Sequence, residues 1–416
     1  MPQETPQQPI TLVHMTTVPQ SLFFLSGQVG YMKERGFNVY AVSSPGEFLS
    51  RFAEQERIGV HPVEMPRRIT PLRDAAAVVR IWTALRRIRP HIVHAHTPKG
   101  GVLGMIGAWL AGVPVRIYHM HGLPCTTATG WKRILLMWSE RIACGLAHQV
   151  LCVSASVRRV AVDSRLCRRK KIKVLAQGSI NGIDATGRFN HARLPPTLRE
   201  ETRRRHGIPP DALVLGFIGR IVRNKGLIEL AGAWALLRRE FPALRLMLVG
   251  PYEAQDPIPP EVDRQLRDDV RVHLIGENWN VAPLYAAMDV LALPTYREGF
   301  PTVLLEAAAM SVPVVATRVP GCIDAVQDGV TGLLVPPYDA DSLAVAIGRY
   351  LRNADLRERH GAAARERVLR DFRPEGIWQA VHHEYLRCLR RQDGASRVEA
   401  PEQPEQVEAG QRRPAA

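Results

Sequence analysis

Arg297-Glu298-Gly299-Phe300-Pro301-Thr302-Val303-Leu304-Leu305-Glu306-Ala307 is the stretch on which the reading of this chain turns. It sets one carboxylate, Glu298, in a turn and a second, Glu306, inside a helical run that starts near Thr302. The apolar run before it, residues 290–294, and the one after it, residues 313–317, both read as buried strands. The helix therefore opens at the carboxyl end of a parallel strand, where open α/β sheets hold their ligands. Its first turn offers unpaired backbone N–H groups and the positive end of the helix dipole, which suits a diphosphate. Val303 and Leu304 are candidate N–H donors to phosphate oxygens. Glu298 sits at the mouth of such a cradle, and Glu306 can reach vicinal hydroxyls. Two carboxylates flanking a phosphate cradle suit a nucleotide-sugar.

Working outward, the same strand-then-helix alternation fills the chain. One series of strands is expected at 10–16, 38–43, 91–96, 115–121 and 149–154. A second is expected at 213–219, 244–250, 272–276, 290–294, 313–317 and 332–335. Between them the sequence is rich in Arg, Pro and Glu and poor in apolar residues. The expectation is an α/β protein of two Rossmann-like domains facing across a cleft, residues 1–190 and 212–372, joined by a linker at 191–211. Residues 392–416 hold Pro, Glu, Gln and Ala with almost no large apolar side chain, the composition of a disordered tail.

Gly219-Arg220-Ile221-Val222-Arg223-Asn224-Lys225-Gly226 closes the first strand of the second series. Gly219 lets backbone approach a ligand, and Arg220 and Lys225 bring two cations to the sheet edge that carries Glu298. In the first series His94 and His96 alternate along one strand and His119 and His121 along another. Four histidines near one edge invite a metal, but no carboxylate or cysteine completes a ligand set, so none is assigned. Asp339-Ala340-Asp341 opens a helix and reads as its cap.

Composition narrows the field. The chain has 416 residues, 46% hydrophobic and 23% charged, with a formal net charge of +15. That excess attracts phosphates, yet it is scattered and carries no nucleic-acid-binding signature; an anionic membrane surface fits it better than nucleic acid. Six cysteines lack paired spacing and read as reduced. No signal peptide or membrane span is evident, so a cytoplasmic, peripheral location is expected. The face made by Trp131, Ile134, Leu135, Trp138, Ile142 and Leu146 either packs on the core or lies at a lipid interface. Phe23 and Phe24 follow the first strand where they can dip into lipid.

The Glu298-x7-Glu306 spacing with Gly299-Phe300-Pro301 inside it resembles the signature of family 4 retaining glycosyltransferases of the GT-B fold. The resemblance runs from about Ile10 to about Arg391. Within it, His96-Thr97-Pro98-Lys99-Gly100-Gly101, His121-Gly122-Leu123-Pro124 and Gly178-Ser179-Ile180-Asn181-Gly182 resemble bacterial capsular, exopolysaccharide and O-antigen transferases that act on undecaprenyl-diphosphate-linked sugars.

The resemblance implies a UDP-sugar donor held by Gly219, Arg220, Lys225, Glu298, Gly299, Phe300, Pro301, Thr302, Val303, Leu304 and Glu306. It implies His121, Glu298, Arg220 and Lys225 as the catalytic set, with the two cations neutralising the leaving diphosphate in place of a metal, and no cofactor. Glu306 would bind the ribose hydroxyls, and His96 and Lys99 the acceptor. A helix at 373–391 would cross back to the first domain. The glycine pair that many relatives carry after the first strand is absent here, where Ser21-Leu22-Phe23 stands. The expected activity is transfer of an N-acetylhexosamine or related hexose to a polyprenyl-diphosphate-linked sugar in surface polysaccharide biosynthesis. A nucleotide-sugar epimerase of the same fold, or a transferase with a soluble acceptor, remains open.

Overall fold

The computed structural model describes residues 9–392. The tail expected at 392–416 therefore lies, Gln392 apart, outside the described residues. Thirteen strands form two sheets, and every strand pairing among the described residues is parallel. The first sheet holds β1 (Ile10–Met15), β2 (Phe37–Ser43), β3 (Gly59–Pro62), β4 (Ile92–His96), β5 (Val115–Met120), β6 (Gln149–Cys152) and β7 (Ile172–Val174), in the order β3-β2-β1-β4-β5-β6-β7. The second holds β8 (Val214–Ile218), β9 (Arg245–Val249), β10 (Val272–Gly276), β11 (Val290–Leu293), β12 (Val314–Thr317) and β13 (Gly332–Val335), in the order β10-β9-β8-β11-β12-β13.

Strands that are apolar on both sides need helices over both faces, and β8, β11 and β12 are buried along their whole length. Strand order reverses between β1 and β4 in one sheet and between β8 and β11 in the other. Each reversal opens a crevice at the carboxyl edge, where the flanking connections diverge. The edge strands β3 and β7 were not expected: they span only four and three residues, too short for a period to show.

The segment read as a linker does more than connect. Ile183, Ala185 and Phe189 already pack in the second core, so the chain crosses near Gly182, ahead of residue 190. Helix Leu198–Arg205 then docks on the second domain, where buried Arg203 donates to Asp289 Oδ2 at 2.9 Å and to the Ala287 carbonyl.

Helix Ala354–Asp371 still packs on the second core through Ala364 and Val368. The chain then returns. Helix Pro374–Gln392 sets Ile377, Val381, Tyr385 and Cys388 among Leu12, Val39, Ile92 and Val115 of the first sheet. The Gly178–Gly182 motif seats this crossing. Gly182 has φ +70, and a Cβ there would stand 2.5 Å from the Phe372 carbonyl oxygen. Asn181 accepts from Trp378 Nε1 at 2.6 Å and donates to the Ser26 carbonyl at 2.9 Å.

Deeper in, the Tyr385 hydroxyl meets His94 Nδ1 at 2.6 Å with both side chains buried. Tyr385→Phe leaves that nitrogen without a partner in a dry site. It should lower the stability of the first domain by about 1–3 kcal/mol, read as an earlier urea midpoint for that domain.

Candidate active site

The cleft is set by backbone touching backbone. Gly299, at the carboxyl end of β11, lies so close to residue 121 that a Cβ on it would fall 1.7 Å from the His121 carbonyl oxygen. Gly122 answers with φ +142 and a Cβ position 3.3 Å from Gly299 Cα. Ser154 Oγ donates to the Gly299 carbonyl at 2.9 Å. Alongside, Ser156 Oγ and backbone N–H donate to Asp324, and Gly321 N–H donates to Ser156 Oγ at 2.7 Å. These contacts press the Glu298 turn of the second domain onto the His121 strand end of the first.

Around that contact the expected donor residues gather. Lys225 Nζ is ion-paired with Glu298 Oε1, their side chains 17% and 12% exposed. Arg220 does not stand free: it pairs with Glu253 Oε2 at 2.6 Å, and Arg67 of the first domain holds Glu253 Oε1 at 3.0 Å. These two cations hold Glu253 below the usual carboxylate range. Sequence gave no reason to pick Glu253, which reaches Arg220 from the loop after β9. Arg297 is different again. It is half-buried, burial lowers its pKa, and its guanidinium has no hydrogen-bond or ion-pair partner among the described residues.

Helix Thr302–Ala309 starts beside Pro301 with no side-chain cap, which leaves its first N–H groups available. Leu304 is a correction: its N–H is engaged by the Pro301 carbonyl at 3.2 Å, so Thr302 and Val303 carry the open donors of this turn. Glu306 Oε2 lies 2.8 Å from the Tyr285 hydroxyl. Burial raises the Glu306 pKa, while Tyr285 and Arg188 pull it back. Phe300 packs beside Phe372, with ring centroids 5.4 Å apart, and so fixes the turn from behind.

In the first domain five histidines meet on one face of the sheet. Register sets His14 of β1 beside His94, and His96 beside His119. His14 Nδ1 lies 3.0 Å from His96 Nε2, and His96 Nδ1 lies 3.1 Å from His121 Nε2. His94 and His119 stack at 5.2 Å. Two triads, His14-His94-His96 and His96-His119-His121, have nitrogens within 4.8 Å of one another, and among the described residues no carboxylate joins either set. Burial depresses every one of these pKa values: His14 falls to about 3, His121 to about 4, and His94, His96 and His119 well below the usual value. His14 was missed because its contact depends on strand register, which the pattern along a single strand does not reveal.

Lys99, expected to meet an acceptor, is committed elsewhere. Its ammonium pairs with Asp74 at 2.6 Å and donates to the Pro66 and Arg68 carbonyls, pinning the loop before helix Pro71–Ile88. Phe23 is also engaged, edge-on to Phe52 at 5.4 Å and near Phe48 and Trp279 of the facing domain, so Phe24 alone of that pair is exposed. Asp339 caps helix Ala340–Arg352, accepting from Ser342 N–H at 2.8 Å.

Helix Gly130–Leu146 buries Glu140, Ala143 and Cys144, packs Leu136 and Met137 against the first core, and turns a tryptophan-bearing face outward. Trp131 is 74% exposed and Trp138 57%, with Ile134, Leu135 and Ile142 beside them; only Leu146 of the expected face is half-buried. The neighbouring helices Pro98–Leu110 and Pro71–Ile88 add exposed Trp109, Leu110, Leu72 and Trp82. No described helix is long and apolar enough to cross a membrane.

Two parallel-sheet domains that meet over a cation-carboxylate cluster form the architecture of sugar-transferring enzymes of the GT-B type. Comparison with known proteins agrees. Residues 25–178 match the "Glycosyl transferase 4-like domain" family and residues 212–353 the "Glycosyl transferases group 1" family. The Staphylococcus aureus capsular polysaccharide biosynthesis glycosyltransferase CapM is 31% identical over 383 residues, 92% of this chain and 98% of CapM. An Escherichia coli enzyme, UDP-Gal:alpha-D-GlcNAc-diphosphoundecaprenol alpha-1,3-galactosyltransferase, is 25% identical over 68% of this chain and 72% of its own. In fold, Anabaena HepE, solved in complex with UDP and glucose, superposes with a TM-score of 0.75 at 22% identity, covering 91% of this chain and 99% of its own. The chain belongs to the group 1 glycosyl transferases and is a glycosyltransferase of GT-B fold.

The buried histidines make acid the weak point of the first domain. They stay neutral in the folded chain and take up protons when it unfolds, so the unfolded state binds more protons and stability falls as pH drops. The loss begins near the ordinary histidine value, about 6.5, and continues down to the folded values of about 3 for His14 and about 4 for His121. Each histidine contributes up to about 1.4 kcal/mol per pH unit in that window. Urea midpoints measured from pH 7.5 to pH 5 should fall steeply, and less steeply in His14→Leu.

Proposed function

We propose that this protein is a retaining glycosyltransferase. It moves an N-acetylhexosamine or related hexose from a UDP-sugar to an undecaprenyl-diphosphate-linked sugar, in capsule or exopolysaccharide synthesis at the inner face of the cell membrane. The observation that carries the reading is the Lys225–Glu298 pair beside Arg220 and the open start of helix Thr302–Ala309, all at one sheet edge and against His121. The names of the Staphylococcus and Escherichia relatives support the polysaccharide pathway and the lipid-linked acceptor, and the UDP held by HepE supports the donor.

In this reading the Thr302 and Val303 N–H groups, Arg220 and Lys225 receive the diphosphate, and Glu306 takes the ribose hydroxyls. As the bond from the anomeric carbon to the diphosphate oxygen breaks, negative charge grows on the leaving group, where the two cations oppose it. Glu298 lies beside the sugar and stabilises the positive character of the anomeric carbon. The acceptor hydroxyl oxygen bonds to that carbon on the face the diphosphate leaves, and its proton passes to a diphosphate oxygen. Configuration is thus retained with no side-chain nucleophile. The fixed cations take the place of a metal, so the reaction needs no divalent ion.

A panel of UDP-sugars offered with and without a synthetic polyprenyl-diphosphate sugar tests this directly. Labelled lipid product should require both and persist in excess EDTA. Donor consumption without acceptor, or strict restoration by manganese after chelation, would refute it. Lys225→Ala should lower kcat by on the order of 100-fold while weakening donor binding far less. Glu306→Ala should instead weaken UDP itself by roughly ten-fold or more.

The exposed tryptophan face and the +15 charge together give reversible attachment to anionic bilayers. In flotation the protein should rise with anionic vesicles and release as salt climbs through the screening range. Trp131→Ala with Trp138→Ala should abolish what stays bound at high salt and leave UDP affinity unchanged. Equal binding to neutral vesicles would remove the electrostatic part.

A further inference from the structure

The three hydrogen-bonded imidazoles admit only two proton arrangements. A neutral imidazole carries one N–H, and each N···N contact needs one donor and one lone pair. With His96 protonated on Nδ1, it donates to His121 Nε2 and accepts from His14 Nδ1–H. His121 must then carry its proton on Nδ1. With His96 protonated on Nε2, every proton moves to the opposite nitrogen, and His121 Nδ1 becomes a bare lone pair. The two arrangements differ at the buried end. His14 Nε2 is sealed from solvent and has no partner among the described residues. In the second arrangement that atom is an N–H donor left unpaired in a dry core; in the first it is a lone pair. Orphaned buried donors are the rarer and costlier of the two.

His94 does not alter the count, because its Nδ1 is engaged by Tyr385 and its Nε2 reaches neither chain member within hydrogen-bond distance. His119 stacks on His94 and likewise bonds to none of the three. His121 Nδ1 is not among the sealed nitrogens, and its residue lies against the Glu298-Gly299 turn.

We infer that His14 and His96 are positioning residues, an imidazole relay that fixes His121 as its Nδ1–H tautomer and so makes it a hydrogen-bond donor toward an oxygen of the bound sugar or leaving phosphate, not a base. The tautomer is set by the bond the other ring nitrogen makes. This rests on the proposed function, in which the donor is held at the Glu298 turn that lies against His121.

Histidine-selective 15N labelling reads the tautomer in the unmodified enzyme, the His121 signals being assigned by their loss in His121→Ala. The expected result is a protonated Nδ1 and an unprotonated Nε2. The reverse pattern overturns the relay. In His14→Leu the His121 signals should shift toward a mixture of tautomers, with kcat lower by about five-fold and donor KM unchanged. His14→Asn, which can again donate to His96 Nε2, should restore both. Unchanged signals in His14→Leu would likewise overturn the relay. If the wild-type pattern is as expected but His121→Ala turns over normally, the relay stands and the placement of His121 at the reacting sugar fails.

Discussion

Everything at the cleft depends on a glycine that has no room to be anything else. At Gly299 the two domains meet main chain to main chain, with the His121 carbonyl where a side chain would begin. No rotamer change relieves such an overlap, since the obstructing atoms are backbone on both sides. The approach fixes the distance between the strand end that carries His121 and the turn that carries Glu298. The Ser154 and Ser156 hydroxyls then satisfy backbone and carboxylate groups that the close approach would otherwise leave dry. Gly321, at φ +84, leaves space for the Gly299 carbonyl in turn.

Much of this was legible in the amino-acid order. Strands buried on both faces announce themselves as apolar runs, and eleven of the thirteen strands were read that way. The Glu298–Glu306 spacing was read as strand, turn and helix in unbroken succession, and the structure has them in that order. What could not be read was any contact set by register or by packing of distant segments. His14 joins the other histidines only because β1 pairs with β4 in the register that aligns residues 14 and 94. Lys99 looked free because nothing local opposes it, but Asp74 waits at the start of another helix. The helix at 130–146 left two readings open in sequence, and packing decides between them: Leu136, Met137, Ala143 and Cys144 meet the core while Trp131, Ile134, Leu135, Trp138 and Ile142 face out.

The polar interior of the first domain follows from the same topology. A histidine face at the centre of a parallel sheet is tolerated because Tyr385 arrives from the returning C-terminal helix to bond one ring. That helix leaves the second domain at Phe372 and completes the core of the first. Gly182 and Asn181 seat the crossing, and Gly178 of the same motif leaves room for the Phe300 ring in the Glu298 turn.

The bridge Arg67–Glu253–Arg220 gives ligand entry a particular character. An anion that takes Arg220 does not meet a bare guanidinium; it replaces a carboxylate already there. Binding at this point is an exchange of one anion for another, so fewer small counterions leave than the positive charge of the cleft suggests. The displaced Glu253 keeps Arg67 as its partner, and the tie between the two domains at this edge passes from three groups to two. Occupancy of the cleft and the tie between the two domains at this edge are thereby linked through one carboxylate.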